Sequence, residues 1–292
     1  MTQTDNIQSQ FLLKCGEKVI DLSSRTHIMG ILNVTPDSFS DGGEYFDTNR
    51  AVERGIQMAE EGADIIDIGA ESTRPGAEPI AMDEELARLL PVLEQLLKTT
   101  DVPISVDTYK SRVAEAALHA GAHIINDISG LRFDPAMKDV VARFDAPVII
   151  MHIKGEPKNM QIDPYYEDVM IEISDYLAES IRMASLAGIK KENIVVDPGI
   201  GFGKRLEDNY EIIRRLSELK RLGCPILIGP SRKSFLGKIL NLPPAERLEG
   251  TMAAVAIGIQ NGADIVRVHD VKAVSRVCQI ADLIVAKRSS TK

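Results

Sequence analysis

The sequence is poor in cysteine and in positive charge, and it has no long apolar run. Its three cysteines, Cys15, Cys224 and Cys278, form no CxxC pair and no Cys/His cluster, which argues against a disulfide framework and a zinc site. No apolar run reaches the roughly 18 residues that a membrane span needs. Lysine and arginine number 34 against 43 aspartates and glutamates, and this net charge of −9 argues against general binding to nucleic acid or anionic membranes.

The composition is that of an ordinary globular protein, with 44% hydrophobic and 26% charged residues in a chain of 292. Residues 1–10 are polar and lack the charged-then-apolar order of a secretory signal, so we expect a protein of the reducing cytoplasm. No stretch rich in proline, serine and glycine divides the chain, and barrels of roughly 250 residues form one domain. We therefore predict a single domain over residues 1–292, with the barrel proper from about 25 to 287.

Short β-rich segments alternate with amphipathic segments along the chain. Most of the β-rich segments carry uninterrupted Ile and Val runs, which is typical of strands buried on both faces of a parallel sheet. They predict eight strands, over residues 26–34, 63–70, 103–108, 123–129, 146–152, 194–199, 225–231 and 265–270.

Eight helical patterns in strict alternation with these strands fit either a closed (β/α)8 barrel or a doubly wound open sheet. The number of units favours the TIM barrel, an α/β fold. Residues 11–22 predict an N-terminal β-hairpin with Gly16 in its turn, placed to cap the barrel bottom. The leucine stripe at 86–97 predicts a helix in which Pro91 would cause a local kink.

Polar side chains stand at or just after the end of almost every expected strand. Taken singly, each of them is explained by helix capping or turn formation. Their occurrence at eight strands is not, because the carboxyl ends of all barrel strands meet at one face, where such enzymes build their sites. The residues concerned are Asn33, Asp67, Asp107, Asn126, His152, Asp197, Lys233, Arg267 and His269.

Cations at or shortly after these strand ends point to an anionic ligand. Arg74, Lys233, Arg267 and His269 are clustered at strand ends of a net acidic chain, which indicates a local phosphate or pyrophosphate site. Asn33 offers a neutral oxygen that would complete the shell of a Mg²⁺ ion carried by a pyrophosphate, since Mg²⁺ takes few protein ligands.

Acceptors in the same set point to a flat heterocycle. Asp107 and Asp197 can each accept two parallel N–H donors from an amidine-like edge, and Asn126 both donates and accepts. Lys233 would meet a ring carbonyl or nitrogen at the opposite edge. The glycine-rich stretch 197–204 follows the sixth strand rather than the first, so it is not a dinucleotide fingerprint. We expect its glycines to let the backbone pass close to a bound ring, with Phe202 as an apolar wall.

Long loops follow the first and second strands, at 33–43 and 71–79, and both are rich in Gly, Pro, Ser and Thr. They are either ordinary surface loops or mobile lids that close over the substrates and exclude water. Exclusion of water would matter if the intermediate were a cation.

Several long motifs of the chain closely resemble those of dihydropteroate synthases of the bacterial type, over about residues 25–285. They are GILNVTPDSFSDGG at 30–43, DIGAESTRPG at 67–76, SVDT at 105–108, INDISG at 125–130, DPGIGFGK at 197–204, GPSRKSFLG at 229–237 and RVH at 267–269.

The resemblance implies a (β/α)8 barrel that condenses 6-hydroxymethyl-7,8-dihydropterin pyrophosphate with p-aminobenzoate, giving 7,8-dihydropteroate and pyrophosphate in folate synthesis. It implies sulfonamides as competing analogues of p-aminobenzoate, Mg²⁺ as cofactor and a homodimer as assembly. Catalysis would fall to Asp107, Lys233, Arg267 and His269. The pterin site would comprise Asp107, Asn126, Met151, Asp197, Phe202, Lys233 and Arg267; the pyrophosphate site Asn33 (through Mg²⁺), Arg267 and His269; and the aminobenzoate site Phe39, Thr73, Arg74, Pro75 and Ser234.

A dissociative mechanism fits this set of residues, because loss of pyrophosphate leaves a methylene cation delocalised into the dihydropterin. Arg267, His269 and Mg²⁺ would stabilise the leaving charge, and Asp107 would stabilise the cationic ring. Two alternatives remain at this stage, a methyltetrahydrofolate-type methyltransferase and a catalytically silent pterin-binding paralogue. Apolar residues of the last two helices, including Val255, Ile257 and Val274, would either form a dimer interface or only cover the barrel.

Overall fold

The computed structural model describes residues 11–35 and 44–287, and for 44–47 it describes the backbone alone. The strands in these ranges are β1 Leu12–Cys15, β2 Lys18–Asp21, β3 His27–Asn33, β4 Ile65–Gly69, β5 Ile104–Asp107, β6 Ile124–Asp127, β7 Val148–Met151, β8 Ile194–Asp197, β9 Leu227–Ile228 and β10 Ile265–Val268. The α-helices are α1 Glu44–Glu60, α2 Met82–Thr99, α3 Ser111–Ala120, α4 Met137–Arg143, α5 Val169–Leu186, α6 Leu206–Arg214, α7 Ser234–Leu240, α8 Leu248–Gln260 and α9 Val271–Ile284.

Eight parallel strands form one sheet in the order β8-β7-β6-β5-β4-β3-β10-β9. The two ends of this sheet meet, because Val196 of β8 forms a parallel bridge with Ile226 beside β9 and donates its N–H to the Pro225 carbonyl at 2.9 Å. Closure leaves no open edge, and helices cover the outside. The predicted TIM barrel is therefore confirmed, and the open doubly wound sheet is excluded.

The N-terminal hairpin closes the bottom of the barrel, as predicted. Strands β1 and β2 pair antiparallel around Gly16, whose φ of +64° is a left-handed conformation that glycine adopts readily. Leu13, Cys15 and Leu22 are buried against the first inward-facing side chains of the strands. That layer consists of Met29, Ile65, Ile124, Ile149, Val195, Leu227 and Ile265.

Two details differ from the sequence prediction. The seventh barrel strand, predicted over 225–231, is only Leu227–Ile228, since Pro225 and Pro230 have no N–H with which to extend the ladder. Strict alternation fails after it, because two α-helices, α7 and α8, separate β9 from β10. Helix α2 runs from Met82 to Thr99 with Pro91 inside it, as predicted, and Leu89, Leu93 and Leu96 are on its buried face. The local kink at Pro91 stays a prediction.

The last two helices divide their apolar residues between two faces. Val255 and Val274 are fully buried against the barrel, whereas Ile257 is 52% exposed. The α9 residues Ile280 and Leu283 are also more than half exposed. The buried residues of these helices therefore cover the barrel, and a different set of residues forms an apolar outer face.

Candidate active site

The strand period of two places polar side chains directly above the apolar layer at the barrel bottom. On β4, Ile65 faces the interior, and Asp67, two residues later, faces the same way at the mouth. The same step leads from Ile124 to Asn126, from Ile149 to Met151, from Val195 to Asp197 and from Ile265 to Arg267. The sheet register also pairs Asn33 with Gly69, Gly69 with Asp107, and Asp107 with Asn126. Residues from distant parts of the sequence thus meet at one end of the barrel.

Arg267 lies at the centre of this set. Its Nε donates to Asp67 Oδ2 at 2.6 Å and its second guanidinium nitrogen donates to Asp107 Oδ2 at 2.7 Å. Asn126 Nδ2 donates to the same Asp67 oxygen at 3.0 Å. The Arg267 side chain is 18% exposed and that of Asp67 is fully buried, so these contacts lie in a site with little water. One guanidinium therefore serves two carboxylates.

Burial dominates the electrostatics of these groups. It raises the pKa of Asp107 to about 7, with the neighbouring Asp67 acting in the same direction and Arg267 against it. The pKa of Arg267 is raised, because the charges of Asp67 and Asp107 outweigh its own desolvation. Arg267 is thus a permanent cation, whereas Asp107 exchanges a proton near neutral pH.

A second group forms around Asp197. Its Oδ1 accepts the N–H of Gly199 at 2.7 Å, and burial raises the pKa of its carboxyl. Lys233 lies nearby and donates to the Ile200 carbonyl, with its ammonium 4.5 Å from the ring centroid of Phe202. Burial lowers the pKa of Lys233 to about 8, against the opposing effect of Asp197. The Lys233 ammonium, the Asp197 carboxyl and the Phe202 ring therefore lie close together.

Two of the glycines after β8 allow close contacts with protein atoms. A Cβ on Gly199 would lie 1.9 Å from the His152 carbonyl oxygen, so this glycine permits contact with the backbone of the neighbouring loop. A Cβ on Gly201, where φ is +84°, would lie 3.0 Å from Cδ of Lys233. Both positions fix the loop against protein atoms rather than only leaving room for a bound ring.

Lys204 holds this loop from beneath, a role that the sequence reasoning missed. The residue is 3% exposed, and its Nζ lies 2.9 Å from the Gly199 carbonyl oxygen, 2.8 Å from that of Phe202 and 2.9 Å from His152 Nδ1. Burial lowers the pKa of Lys204 well below its ordinary value. The lysine therefore supports the segment that carries Phe202 and touches Lys233.

His269 is neutral in this site, contrary to its assignment as a cation. Burial lowers its pKa to about 3, and the charges of Arg232 and Arg267 add to the effect. Ser231 Oγ accepts the His269 backbone N–H at 3.2 Å and lies 2.9 Å from Nδ1. When the serine hydroxyl donates to Nδ1, the imidazole proton is on Nε2, which can then donate outward.

An apolar cluster forms one wall near these polar groups. Met151 is buried together with Ile128, Ile153 and Met160, and Phe202 packs at the edge of this cluster. Tyr109 and Phe133 complete it, with their rings edge to face at a centroid distance of 5.5 Å. Such a wall suits a flat, partly apolar ring.

The loop after β4 carries the predicted aminobenzoate residues. Arg74 and Pro75 are exposed and Thr73 is half-buried. The loop tip contacts the loop after β7, because the Gly76 N–H donates to the Pro157 carbonyl at 3.0 Å. Ser234 is exposed at the start of α7. Phe39 lies outside the described residues.

Asn33 ends β3 at the barrel mouth. Its Oδ1 is one of the atoms that a Cβ on the adjacent Gly69 would touch, at 3.6 Å, and the Asp107 side chain lies equally close to that position. Within residues 11–35 and 44–287, no group of three or more His, Cys, Asp or Glu is arranged to hold a metal. This donor set fits a Mg²⁺ ion that takes most of its ligands from water and a substrate pyrophosphate.

The chain is similar to known pterin enzymes over nearly its whole length. The sequence model of a family described as "Pterin binding enzyme" matches residues 29–269. The dihydropteroate synthase of Synechocystis sp. is 48% identical over 287 residues, which cover 97% of this chain and 99% of that protein. The one from Bacillus subtilis is 48% identical over 268 residues, which cover 92% of each.

Solved structures agree with these similarities. The Yersinia pestis dihydropteroate synthase in a sulfonamide drug complex superposes with a TM-score of 0.89 at 45% identity, covering 94% of this chain and 99% of that one. The Xanthomonas albilineans enzyme in complex with 7,8-dihydropteroate gives a TM-score of 0.85 at 41% identity, covering 94% and 98%. Among the described helices, none is both long and apolar enough to cross a membrane.

Proposed function

The chain belongs to the dihydropteroate synthase family of pterin-binding transferases, and we propose that its barrel mouth joins 6-hydroxymethyl-7,8-dihydropterin pyrophosphate to p-aminobenzoate. The products are 7,8-dihydropteroate and pyrophosphate. The assignment of residues rests on the contacts of Arg267 with Asp67 and Asp107 and of Asn126 with the same Asp67 oxygen. The Asp197–Lys233 group lies at the same end of the barrel. One domain, the barrel with its hairpin, holds the whole site.

The pterin ring lies between the two polar groups and against the apolar wall. Asp107 and Asp197 accept the ring N–H donors, and Asn126 supplies an amide that both donates and accepts. Lys233 binds the opposite edge of the ring, while Met151 and Phe202 contact its faces. The raised pKa values of the two aspartates describe the ligand-free site, and N–H donors of a bound pterin favour their ionised forms.

Bond cleavage is assisted by groups that recognise the leaving pyrophosphate. The C–O bond between the pterin methylene and the pyrophosphate breaks, and its electron pair leaves with the pyrophosphate oxygen. Arg267 supplies a fixed positive charge, and neutral His269 donates a hydrogen bond through Nε2. The cation left behind is delocalised into the dihydropterin ring, near the Asp107 carboxylate. The arylamine nitrogen then forms the new C–N bond and loses a proton.

Asn33 is the residue that would hold Mg²⁺ on the pyrophosphate. When bound, the ion would neutralise part of the leaving charge. Because Asn33 contributes one neutral oxygen, we expect metal and pyrophosphate to bind together rather than the metal alone.

p-Aminobenzoate binds at the outer side of the pterin, in a subsite to which Thr73, Arg74, Pro75 and Ser234 are assigned. The exposed Arg74 is available to pair with its carboxylate, and Phe39 is assigned to the same subsite from its motif alone. Sulfonamides, which a related structure binds, would compete there.

The reaction is tested by mixing the protein with the pterin pyrophosphate, p-aminobenzoate and Mg²⁺ and measuring pyrophosphate release. We expect release only when all components are present, and dihydropteroate in equal amount. Pterin binding by calorimetry without turnover would instead identify a silent paralogue, and methyl transfer from methyltetrahydrofolate would identify the methyltransferase.

The exposed apolar face of α8 and α9 is the proposed homodimer interface. Ile257, Ile280, Leu283 and Ile284 are 52–74% exposed on these adjacent helices. Such side chains are more often buried in an oligomer. Analytical ultracentrifugation of the wild type and of Ile280→Glu tests this, and we expect a dimer for the wild type and a monomer for the variant.

We also propose a cytoplasmic location. The three cysteines are buried and free, which agrees with a reducing compartment.

A further inference from the structure

Lys110 ties together the two ends of the loop that follows β4, residues 70–81. Its ammonium donates to Glu71 at the start of the loop, to the Ile80 carbonyl at 2.8 Å at the end of it, and to Glu85 Oε2 at 2.6 Å in the first turn of α2. An ammonium has three N–H donors, and each of them is used here.

The partners of Lys110 are held in place by further contacts. Glu71 Oε1 accepts the Tyr109 hydroxyl at 2.5 Å, and Glu85 Oε1 accepts the Thr108 hydroxyl at 2.7 Å. The side chains of Glu71 and Glu85 are only 6% and 2% exposed, and that of Lys110 is 19% exposed. Two buried carboxylates are thus compensated by one cation, which makes Lys110 costly to remove.

The loop that is closed in this way carries Thr73, Arg74 and Pro75. Pinning both ends of a short loop restricts the conformations of the residues between them. The same ions form no hydrogen bond with the pterin groups around Asp197 and Lys233. The network reaches the pterin side indirectly, because Glu71 holds the hydroxyl of Tyr109 in the apolar wall and the charge of Glu85 acts on Asp107. Its direct contacts are all with the two ends of the 70–81 loop and the start of α2.

We propose that Lys110 is a positioning residue for the second substrate. By holding the two ends of the 70–81 loop together through Glu71, Glu85 and the Ile80 carbonyl, it sets the affinity for p-aminobenzoate and affects pterin binding less. The proposal rests on the proposed function, which assigns p-aminobenzoate to this loop. Burial acts to lower the pKa of Lys110, but its hydrogen bonds to Glu71 and Glu85 raise it overall, so the ammonium stays charged across the neutral range.

The test compares Lys110→Met, which keeps the apolar stem, with Lys190→Met. The control breaks an exposed Lys190–Asp145 ion pair of 2.6 Å, just before β8 and so at the opposite end of the barrel. We expect Lys110→Met to raise KM for p-aminobenzoate about tenfold or more, as loss of a charged hydrogen bond does. The KM and the calorimetric Kd for the pterin pyrophosphate should rise by a clearly smaller factor. Glu71→Gln, which keeps the side-chain shape, should change KM in the same direction by a smaller factor, and it serves as the readout if Lys110→Met does not fold.

Hydrogen exchange separates this proposal from the proposed function. Loss of Lys110 should speed exchange of the amides between residues 72 and 78 and leave the barrel strands unchanged, whether or not the protein turns over p-aminobenzoate. Faster loop exchange in a protein without synthase activity would overturn the proposed function but support the role of Lys110 in holding the two ends of the 70–81 loop together. Equal rises in KM for both substrates, an unchanged KM for p-aminobenzoate in the active enzyme, or unchanged loop exchange would overturn the positioning role.

Discussion

Arg267 and Asp107 lie 160 residues apart in sequence, and their side chains are joined by a 2.7 Å hydrogen bond at the mouth of the barrel. Asp67 binds the same guanidinium through its Nε. The cation proposed to stabilise the leaving pyrophosphate is therefore held by the carboxylate proposed to face the pterin. Under the proposed mechanism, departure of pyrophosphate and stabilisation of the ring cation would be coupled through this contact.

Arg267→Ala should lower kcat by roughly 100-fold or more, since removal of one preorganised charge-stabilising group commonly has that effect. The variant should also leave Asp67 and Asp107 as buried carboxylates without their shared cation. Steady-state rates of pyrophosphate release measure the effect, with circular dichroism as the check on folding. A folded variant with kcat near that of the wild type would contradict the assigned role.

Asp67→Asn tests the residue that holds Arg267 in place. The neutral amide keeps the size of the side chain but weakens its attraction for the guanidinium, so Arg267 should lose its fixed orientation. We expect kcat to fall about tenfold, and stability to fall by about 3–5 kcal/mol if the buried pair is effectively broken. Denaturant titration and steady-state kinetics measure the two effects. Asp145→Asn, on the exposed pair with Lys190, is the matched control and should change stability by less than about 1 kcal/mol.

The sequence could predict which strands form but not which side chains share a cation. The eight strands followed from their uninterrupted Ile and Val runs, and the hairpin from its turn glycine. The period of two from Ile65 would also have directed Asp67 into the barrel mouth. Its pairing with Arg267, 200 residues away, depends on closure of the barrel and is not visible in any local pattern.

Errors of the sequence prediction arose where backbone hydrogen bonding determines the end of a helix or burial determines the charge and role of a side chain. The extra helix α7 ends at Asn241 in a left-handed conformation shortly before Pro243 and Pro244, a stop signal that the prediction did not use. The charge of His269 could not be read from its type, because burial and neighbouring cations hold it neutral. Lys204 looked like the end of a glycine-rich motif, and only its burial reveals its function in the loop.

Pterin affinity should show a maximum between about pH 7 and 8. Asp107 has a pKa raised to about 7, so below that pH it is protonated and loses its capacity as an ionic acceptor. Lys233 has a pKa lowered to about 8, so above that pH it loses its charge. Calorimetric Kd values between pH 5.5 and 9 measure both limbs. Asp107→Asn should weaken the acidic limb, leaving the part that comes from Asp197, whose pKa burial also raises, and should leave the alkaline limb in place. An unchanged acidic limb would contradict the assignment.

The raised pKa of Asp107 also has a consequence for folding. Its folded pKa lies above the ordinary value near 3.8, so the native state binds more protons than the unfolded chain between about pH 4 and 7. The contribution of this group to stability therefore decreases as the pH rises through that window. In Asp107→Asn this contribution should be absent, which urea titrations of the two proteins at pH 5 and pH 7.5 would detect as a smaller pH dependence in the variant.

Ser231→Ala should weaken recognition of the leaving group without affecting the pterin ring. The serine hydroxyl lies 2.9 Å from His269 Nδ1, and its loss would let the imidazole proton move from Nε2 to Nδ1. We expect kcat to fall several-fold. The Kd for a pterin that lacks the pyrophosphate should stay within about twofold, and a similar loss of affinity for that pterin would contradict the tautomer argument.

Lys204→Met should loosen the loop that carries Phe202 and supports Lys233. Methionine fills most of the lysine volume but leaves the Phe202 carbonyl without its buried donor, which costs about 1–3 kcal/mol. The Gly199 carbonyl loses one donor and keeps the Phe202 N–H at 3.1 Å. Because Lys233 is hydrogen-bonded to the neighbouring Ile200 carbonyl, pterin binding should weaken about tenfold while KM for p-aminobenzoate changes little. This is the opposite selectivity to that expected for Lys110→Met, so the same pair of measurements on both variants tests whether the two substrates are positioned by separate lysines. A shared loss of both affinities in Lys204→Met, at a temperature where the variant is fully folded, would contradict that separation.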